Sequence, residues 1–352
     1  MKSISIVLIV LAFAWIAAAQ TVPENPFTRA EYVKRLYDVQ KKPSAVDELI
    51  ADLRRRGIAF EVTDGIRGLT TSKSRNNAEL KRTIEEAARR KADPESARLP
   101  DPKESAEVIA RAREAALAAL EEMPDFVVKQ QIQRYVAYAG TNNFQNTDKL
   151  VVAVSYRADG REEYKLLSRN GIIQQNPQAK GSYEEVGGTS STGEFVTVLS
   201  TIFKPENETE FEVADTALFR NRKTIVYNFD VARDKAKQVV AAAGYLVEST
   251  ITGMKGRIWI DRENFRVLKI ESEATEIPET FPIRVAKRSV EYDWVKINDE
   301  TYLLPSLSDV RLTMRADRQV YESRNLIRFK GYQKYGSEVR ILDSDEEEVK
   351  EP

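Results

Sequence analysis

The stretch Gly253–Ala274 reads GMKGRIWIDRENFRVLKIESEA. Apolar and polar residues alternate in it on both sides of a polar turn at residues 262–264. Alternation with a period of two is typical of β-strands that bury one face. The stretch therefore predicts a hairpin in the middle of a larger sheet, with Ile258, Ile260 and Ile270 facing a core and its charged residues facing away.

Other segments with the same alternation extend from Phe126 to Tyr332. Asp159-Gly160 is a strong signal for a tight hairpin turn. The strands after Ile283 are about 13 residues long, well beyond the usual length, and long antiparallel strands curl under their own twist. We predict an α+β fold whose main part is a large curved antiparallel sheet, an incomplete β-barrel of about eleven strands.

The N-terminal part has helical periodicity instead. Thr28-Arg-Ala-Glu31 forms a capping box, and apolar stripes predict three short helices within residues 20–91, with Asp64–Ser74 as a loop. We interpret residues 20–91 as a small helical module. It is either a site for docking a partner protein or a unit that only packs on the rest of the chain.

A linker and a longer helix connect this module to the sheet. Residues 92–103 contain prolines and acidic residues, which indicates a linker. Asp101 and Pro102 then mark the start of a helix that continues to about Met123. Because a single helix of this size is marginally stable in water, we expect it to lie across the sheet.

Both ends of the chain are predicted to lie outside the fold. Residues 1–19 combine Lys2, an apolar run over Ile4–Ile16 and the small residues Ala17–Ala19, as in a secretory signal peptide. We expect cleavage after Ala19, with an uncleaved anchor as the alternative, and a periplasmic or secreted protein with no later transmembrane segment. Residues 339–352 are predicted to be an acidic disordered tail.

The composition excludes several function classes. The chain contains no cysteine and no histidine, which removes thiolate chemistry, the usual zinc ligands and the commonest general base. Any catalysis would depend on Asp, Glu, Lys or Tyr. The 54 basic and 55 acidic residues nearly cancel, which argues against nucleic acid as the main partner. We expect no cofactor and no metal site.

Three short segments resemble a known superfamily. They are Tyr227-Asn228-Phe229-Asp230, Trp259-Ile260-Asp261 and Val267-Leu268-Lys269-Ile270-Glu271. Together with the order of strands, they resemble the lipoprotein-carrier (LolA-like) superfamily, which includes outer-membrane lipoprotein-sorting proteins. The resemblance covers about Glu104–Ser337, and the predicted half-barrel domain spans residues 104–338. It implies an eleven-stranded half-barrel closed by helices, with an apolar cavity for acyl chains. The chain also resembles uncharacterised secreted proteins of acidobacteria.

Carboxylates on the central hairpin are the first candidates for chemistry. Asp261, Glu271 and Glu273 lie on neighbouring predicted strands, where opposed residues approach to about 5 Å, as in a retaining glycosidase. The alternative is a solvated outer face on which Arg257 and Lys269 alternate with these acids.

A glycine-rich loop, Val186–Gly193, precedes a predicted short helix at Glu194–Phe203. Backbone N–H groups in such a loop can hold an anion, and over a half-barrel the loop could form a lid. The alternative is a flexible loop with an ordinary helix cap at Ser191.

A group of apolar residues on one predicted face of the sheet is the candidate ligand site, because binding pockets usually have apolar walls. The alternative is that these residues only pack in the core. They are Phe126, Ile132, Val290, Tyr292, Trp294, Leu312 and Phe329. The sequence thus predicts a non-enzymatic periplasmic or secreted binding protein that holds a lipid, a lipoprotein acyl chain or another apolar ligand in a half-barrel cavity. The alternative function is an envelope-protein interaction or sensing module that acts through residues 27–91.

Overall fold

The computed structural model describes residues 25–174, 183, 186, 193–242, 248–316 and 319–335. The predicted signal peptide, the acidic tail and most of the Val186–Gly193 loop, including the predicted cap at Ser191, lie outside the described residues.

The described residues form seven α-helices and twelve β-strands. The helices are α1 (Arg29–Lys41), α2 (Val46–Arg56), α3 (Asp64–Lys73), α4 (Ala78–Ala92), α5 (Pro102–Glu121), α6 (Thr197–Phe203) and α7 (Arg233–Ala236). The strands are β1 (Phe126–Tyr138), β2 (Gln145–Tyr156), β3 (Glu162–Arg169), β4 (Ile172–Ile173), β5 (Glu210–Phe219), β6 (Arg222–Val231), β7 (Gln238–Ala242), β8 (Glu248–Asp261), β9 (Val267–Thr275), β10 (Ile283–Ile297), β11 (Glu300–Ala316) and β12 (Gln319–Lys334).

All twelve strands belong to one antiparallel sheet. Its order is β4-β3-β2-β1-β12-β11-β10-β9-β8-β6-β5, and β7 pairs with β8. Since β4 and β5 are at opposite ends of this order, the described sheet does not close into a barrel. The α+β prediction of an incomplete barrel is confirmed. The sequence predicted about eleven strands, and the strand it missed is the two-residue β4.

The central hairpin is β8 and β9, and it lies inside the sheet, nearer the β5 end than the middle. Apolar residues of β8 and β9 face α5, and Val108, Ala112 and Ala116 of that helix pack against them. The turn of the hairpin also holds the helix. Arg262 donates to both carboxylate oxygens of Glu104 at 2.6 and 2.8 Å, and Arg266 donates to the Ala115 carbonyl at 2.8 Å. The predicted helix across the sheet is therefore present, and Asp101 caps it by accepting from the Glu104 N–H.

We call this side of the sheet the α5 face. At its β1–β3 end, aromatic side chains take up much of the core, and α5 contributes Leu120 to it. Phe126 stacks on Tyr156 with the ring centroids 4.9 Å apart, and Phe195 contacts Phe126 edge to face at 5.2 Å. All three residues are at most 1% exposed, so this end of the α5 face is a packed core.

Residues 25–92 form a helical module with a core of its own. Phe27, Tyr32, Leu36, Leu49 and Leu53 are fully buried in it. The segment Asp64–Ser74, predicted as a loop because of its two glycines, is instead helix α3. Thr63 caps this helix by accepting from the Ile66 N–H, and one buried face of α3, with Ile66 and Thr70, joins the module.

The module covers the side of the sheet opposite to α5, which we call the module face. Arg82 of α4 pairs with Glu291 at 3.1 Å, and Arg90 pairs with Asp215 of β5. The Leu218 N–H donates to Glu86 at 3.1 Å. The hairpin prediction was wrong in one respect, since its charged side does not face solvent: Trp259 is 6% exposed and Lys269 is 3% exposed.

Within the described ranges, no helix combines the length and the apolar character that a membrane span requires.

Candidate functional site

A cleft of about 1250 Å³ separates the module from the sheet. Side chains of α2 and α4 line one side, among them Ile50, Arg54 and Arg82, and strands β6 and β8–β12 line the other. A second cavity of about 550 Å³ lies beside it, between helices α3 and α4 and strands β5, β6, β8 and β9. Arg54, Arg82 and Arg257 line both cavities, so the two spaces adjoin.

A single row of paired strand positions crosses the floor of the cleft. Asn228 pairs with Arg257, Arg257 with Glu271, Glu271 with Ser289, and Ser289 with Asp309. Paired residues of neighbouring strands point to the same side of a sheet. These five residues, here called the central row, therefore all face the module, which places Ser289 between two carboxylates.

Asp309 lies in a compact group of charges at one end of the central row. Its Oδ2 is 2.9 Å from Nη2 of Arg324 and 3.2 Å from Nη2 of Arg311. Burial alone would raise the pKa of Asp309, but the two guanidinium groups outweigh it and lower this pKa to about 2. Asp309 is therefore ionised at neutral pH, and it holds two arginines on adjacent strands in place.

Glu271 has a similar arrangement in the middle of the row. It pairs with Lys269, whose ammonium also lies 4.7 Å from the centroid of the Trp259 ring. Burial acts to raise the pKa of Glu271, and the adjacent Lys269 outweighs it and keeps this pKa below the usual range. Glu271 is thus a fixed, ionised group of the floor.

Glu291 connects the floor to both sides of the cleft. Its two oxygens accept from Arg82 of α4 at 3.1 Å and from Arg220, in the β5–β6 turn, at 3.0 Å. Glu291 is only 6% exposed. Through Arg82, Glu291 connects the module to the sheet at the cleft.

These ion pairs favour binding over acid–base chemistry. A general base or acid needs a pKa near the working pH, whereas Glu271 and Asp309 are held ionised by neighbouring cations. Burial does raise the pKa of Glu322 at the cleft edge. Among the described residues, no group of three or more carboxylates is placed to hold a metal ion.

The three carboxylates predicted from the hairpin have different positions. Asp261 is 1% exposed and accepts from the N–H groups of Glu263 and Asn264, so it shapes the hairpin turn. It also pairs with Arg222. Glu271 and Glu273 both line the cleft, where Glu273 lies 3.8 Å from Lys287. The structure therefore brings together Glu271 and Glu273, but not Asp261.

The seven apolar candidates do not line one surface. Phe126, Ile132 and Phe329 belong to the aromatic core at the β1–β3 end. Val290 and Tyr292 pack beneath α5, and Leu312 lies at the edge of a third cluster. Trp294, predicted to share a face with Tyr292, is 45% exposed and belongs to none of these clusters. Tyr292 is the last β10 residue in the buried cluster that packs against α5.

The sequence prediction missed most of the residues that form the cleft. Arg54, Arg82, Ser289, Asp309 and Arg324 were not among the candidates. Charged residues at every second position of β8–β12 were a usable signal, since this charged side is opposite to the apolar side. What alternation does not reveal is that a second folded unit covers it.

No protein-family profile matches the chain, and no curated protein matches it. Solved structures that resemble it include a LolA superfamily protein from Nitrosomonas europaea, with 12% identity and a TM-score of 0.28 over 66% of this chain and 95% of that one. A DUF1329 family protein from Desulfovibrio piger matches at 8% identity and a TM-score of 0.29, over 68% and 97%.

The MucA/MucB complex structure of Pseudomonas aeruginosa matches at 8% identity and a TM-score of 0.17, over 64% of this chain and 93% of that one. The LolA-like superfamily, which the sequence resembles, is thus represented among the similar structures. At these identities the likeness concerns the fold alone, and it identifies neither a ligand nor a partner.

Proposed function

We propose that the chain is a non-catalytic binding protein whose ligand occupies the cleft between the helical module and the sheet. The observation that supports this most directly is the cleft itself, a space of about 1250 Å³ between two separately packed units. It is somewhat larger than the roughly 300–1,000 Å³ that is usual for the binding site of a small organic molecule, so such a molecule fits in it. Charged side chains of both signs line it, so the ligand is polar.

The absence of catalysis is part of the proposal. The sequence has neither histidine nor cysteine, and the floor carboxylates Glu271, Glu291 and Asp309 each have cationic partners. Groups fixed in this way can orient a ligand without transferring protons to it. The predicted signal peptide, cleaved after Ala19, would place this binding protein in the periplasm or outside the cell.

The lipid predicted from the sequence would bind on the other side of the sheet. Neither described cavity is lined by α5, and the candidates Phe126, Val290 and Tyr292 are at most 2% exposed. A lipid on the α5 face and an envelope partner on residues 27–91 stay predictions. In the proposed function the module instead forms one wall of the site.

Filling the cleft should remove the ligand. Ser289 lies at the centre of the floor between Glu271 and Asp309, and the change Ser289→Trp would place an indole in the space. In native mass spectrometry of protein purified without denaturation, we expect a bound molecule on the wild type. We expect its occupancy to fall at least about tenfold in the variant, since the aromatic side chain and the ligand compete for one volume.

A tryptophan added elsewhere provides the control. Glu163→Trp places the same side chain at an exposed position of β3 and should leave occupancy unchanged, while circular dichroism verifies that both variants are folded. A wild-type protein without a bound molecule would contradict the proposal. So would a lipid that remains bound to Ser289→Trp, a result that would favour the α5 face instead.

A further inference from the structure

Arg257 occupies a special position in the cleft. It extends from β8 on the module face, within the central row, and it lines both adjoining cavities. It is half-buried. Its direct neighbours in the row are Asn228 and Glu271, so a single carboxylate lies beside it on the floor.

The carboxylates around Arg257 are already paired with other cations. Glu271 pairs with Lys269, Glu79 with Arg54 at 2.6 Å, and Asp215 with Arg90. In the part of the chain that the structure describes, the side chain of Arg257 makes no hydrogen bond and no ion pair, and Glu271, Asp215 and Glu79 attract it only from a greater distance. It is thus a cation of the cleft whose neighbouring carboxylates are each paired with another cation.

The position of this charge lowers the stability of the unliganded protein. Burial disfavours the charged form of Arg257 and lowers its pKa, and the nearby Arg54 adds like-charge repulsion. A half-buried charge with no partner destabilises a fold. Groups that are perturbed in this way occur often at functional sites in clefts.

We propose that Arg257 is the anion-recognition residue of the cleft and that the ligand carries a carboxylate or a phosphate group. This inference rests on the proposed function, because it specifies the ligand class for the same cleft. The planar guanidinium presents two parallel N–H donors that fit either anion in a bidentate manner. Arg54, on the wall above, adds a second positive charge near the bound group.

Two simple anions test the inference separately from the natural ligand. Isothermal titration with inorganic phosphate, and in parallel with succinate, is performed at constant ionic strength with sodium chloride as the reference. We expect at least one of these probes to bind the wild type saturably. The affinity should fall about tenfold or more in Arg257→Gln, because a charge-assisted hydrogen bond is lost, and less in Arg257→Lys, which keeps the charge but not the fork.

A control variant and the melting temperature of Arg257→Gln complete the test. Arg161→Gln makes the same change at a 76% exposed side chain in the β2–β3 turn, outside the cleft, and should leave probe affinity unchanged. Without any anion, Arg257→Gln should have a melting temperature equal to or above that of the wild type, because an uncompensated charge has been removed. A lower melting temperature would contradict the absence of a counter-ion.

The outcomes separate this inference from the proposed function. If the wild type binds neither probe, or if Arg257→Gln binds the probe as well as the wild type, the inference is overturned and Arg257 is an arginine that water alone satisfies. If a molecule seen by native mass spectrometry in the wild type also remains in Arg257→Gln, the cleft binds a ligand by other groups. If that molecule also remains in Ser289→Trp, the proposed function itself fails.

Discussion

Replacing Gly256 with alanine should lower the free energy of unfolding by about 3 kcal/mol or more. A Cβ at this position of β8 would lie 1.9 Å from the carbonyl oxygen of Glu271 and 2.9 Å from Cα of Ser272. Both are backbone atoms of the neighbouring strand β9, so no side-chain rotation can relieve the overlap. The strands would have to separate in the hairpin that holds α5.

Urea unfolding, followed by circular dichroism, measures this change. Gly68→Ala is the matched control, because Gly68 lies in helix α3 and an added Cβ would meet nothing within 4 Å. It should raise the free energy of unfolding by about 0.5–1 kcal/mol, since alanine is the better helix former. Equal effects of the two changes would mean that β8 and β9 do not approach so closely.

The change Asp309→Ala should lower the free energy of unfolding by about 3 kcal/mol. It leaves Arg324, which is 8% exposed, and Arg311 beside each other without their shared carboxylate. The value is at the lower end for buried pairs because the Arg311 side chain is 34% exposed and water screens it in part. Asp309→Asn, which keeps an acceptor but not the charge, should cost less.

The free energy of unfolding measured as a function of pH, at acid pH, provides a second measurement. Folding lowers the pKa of Asp309 to about 2, against about 4 in an unfolded chain. Its contribution, about 2 kcal/mol, is therefore complete above pH 4 and is lost as the pH falls through 2. Asp309→Asn should remove the loss of stability that accompanies protonation of Asp309. Glu61→Ala changes a carboxylate whose side chain is 87% exposed and should leave that loss unchanged. An unaltered loss of stability at acid pH in Asp309→Asn would contradict the charge group described here.

The sheet was predictable from the sequence because alternation is a local property. Each strand shows its own period of two, and Asp101-Pro102 marks the start of α5 without reference to anything distant. The same locality explains the error at Asp64–Ser74. Gly65 and Gly68 suggest a loop, but tertiary packing of Ile66 and Thr70 in the module outweighs their low helix propensity.

The cleft could not be predicted, because it depends on how two folded units meet. The alternation in β8–β12 separates an apolar side from a charged side, and a charged side usually faces solvent. The contacts of α4 with Glu291 and Asp215 in the folded protein show that the module covers it. The error at Trp294 has the opposite reason: Trp294 continues the alternation of Val290 and Tyr292, yet the buried cluster beneath α5 ends at Tyr292 on this strand.

The central claim is that the ligand lies between the module and the sheet. A crystal structure of the protein purified without denaturation, with its bound molecule retained, tests it most directly. The proposal predicts density for that molecule above Ser289, with an anionic group within hydrogen-bond distance of the Arg257 guanidinium. Density for a ligand on the α5 face, next to Phe126 or Tyr292, with only water in the cleft, would contradict it.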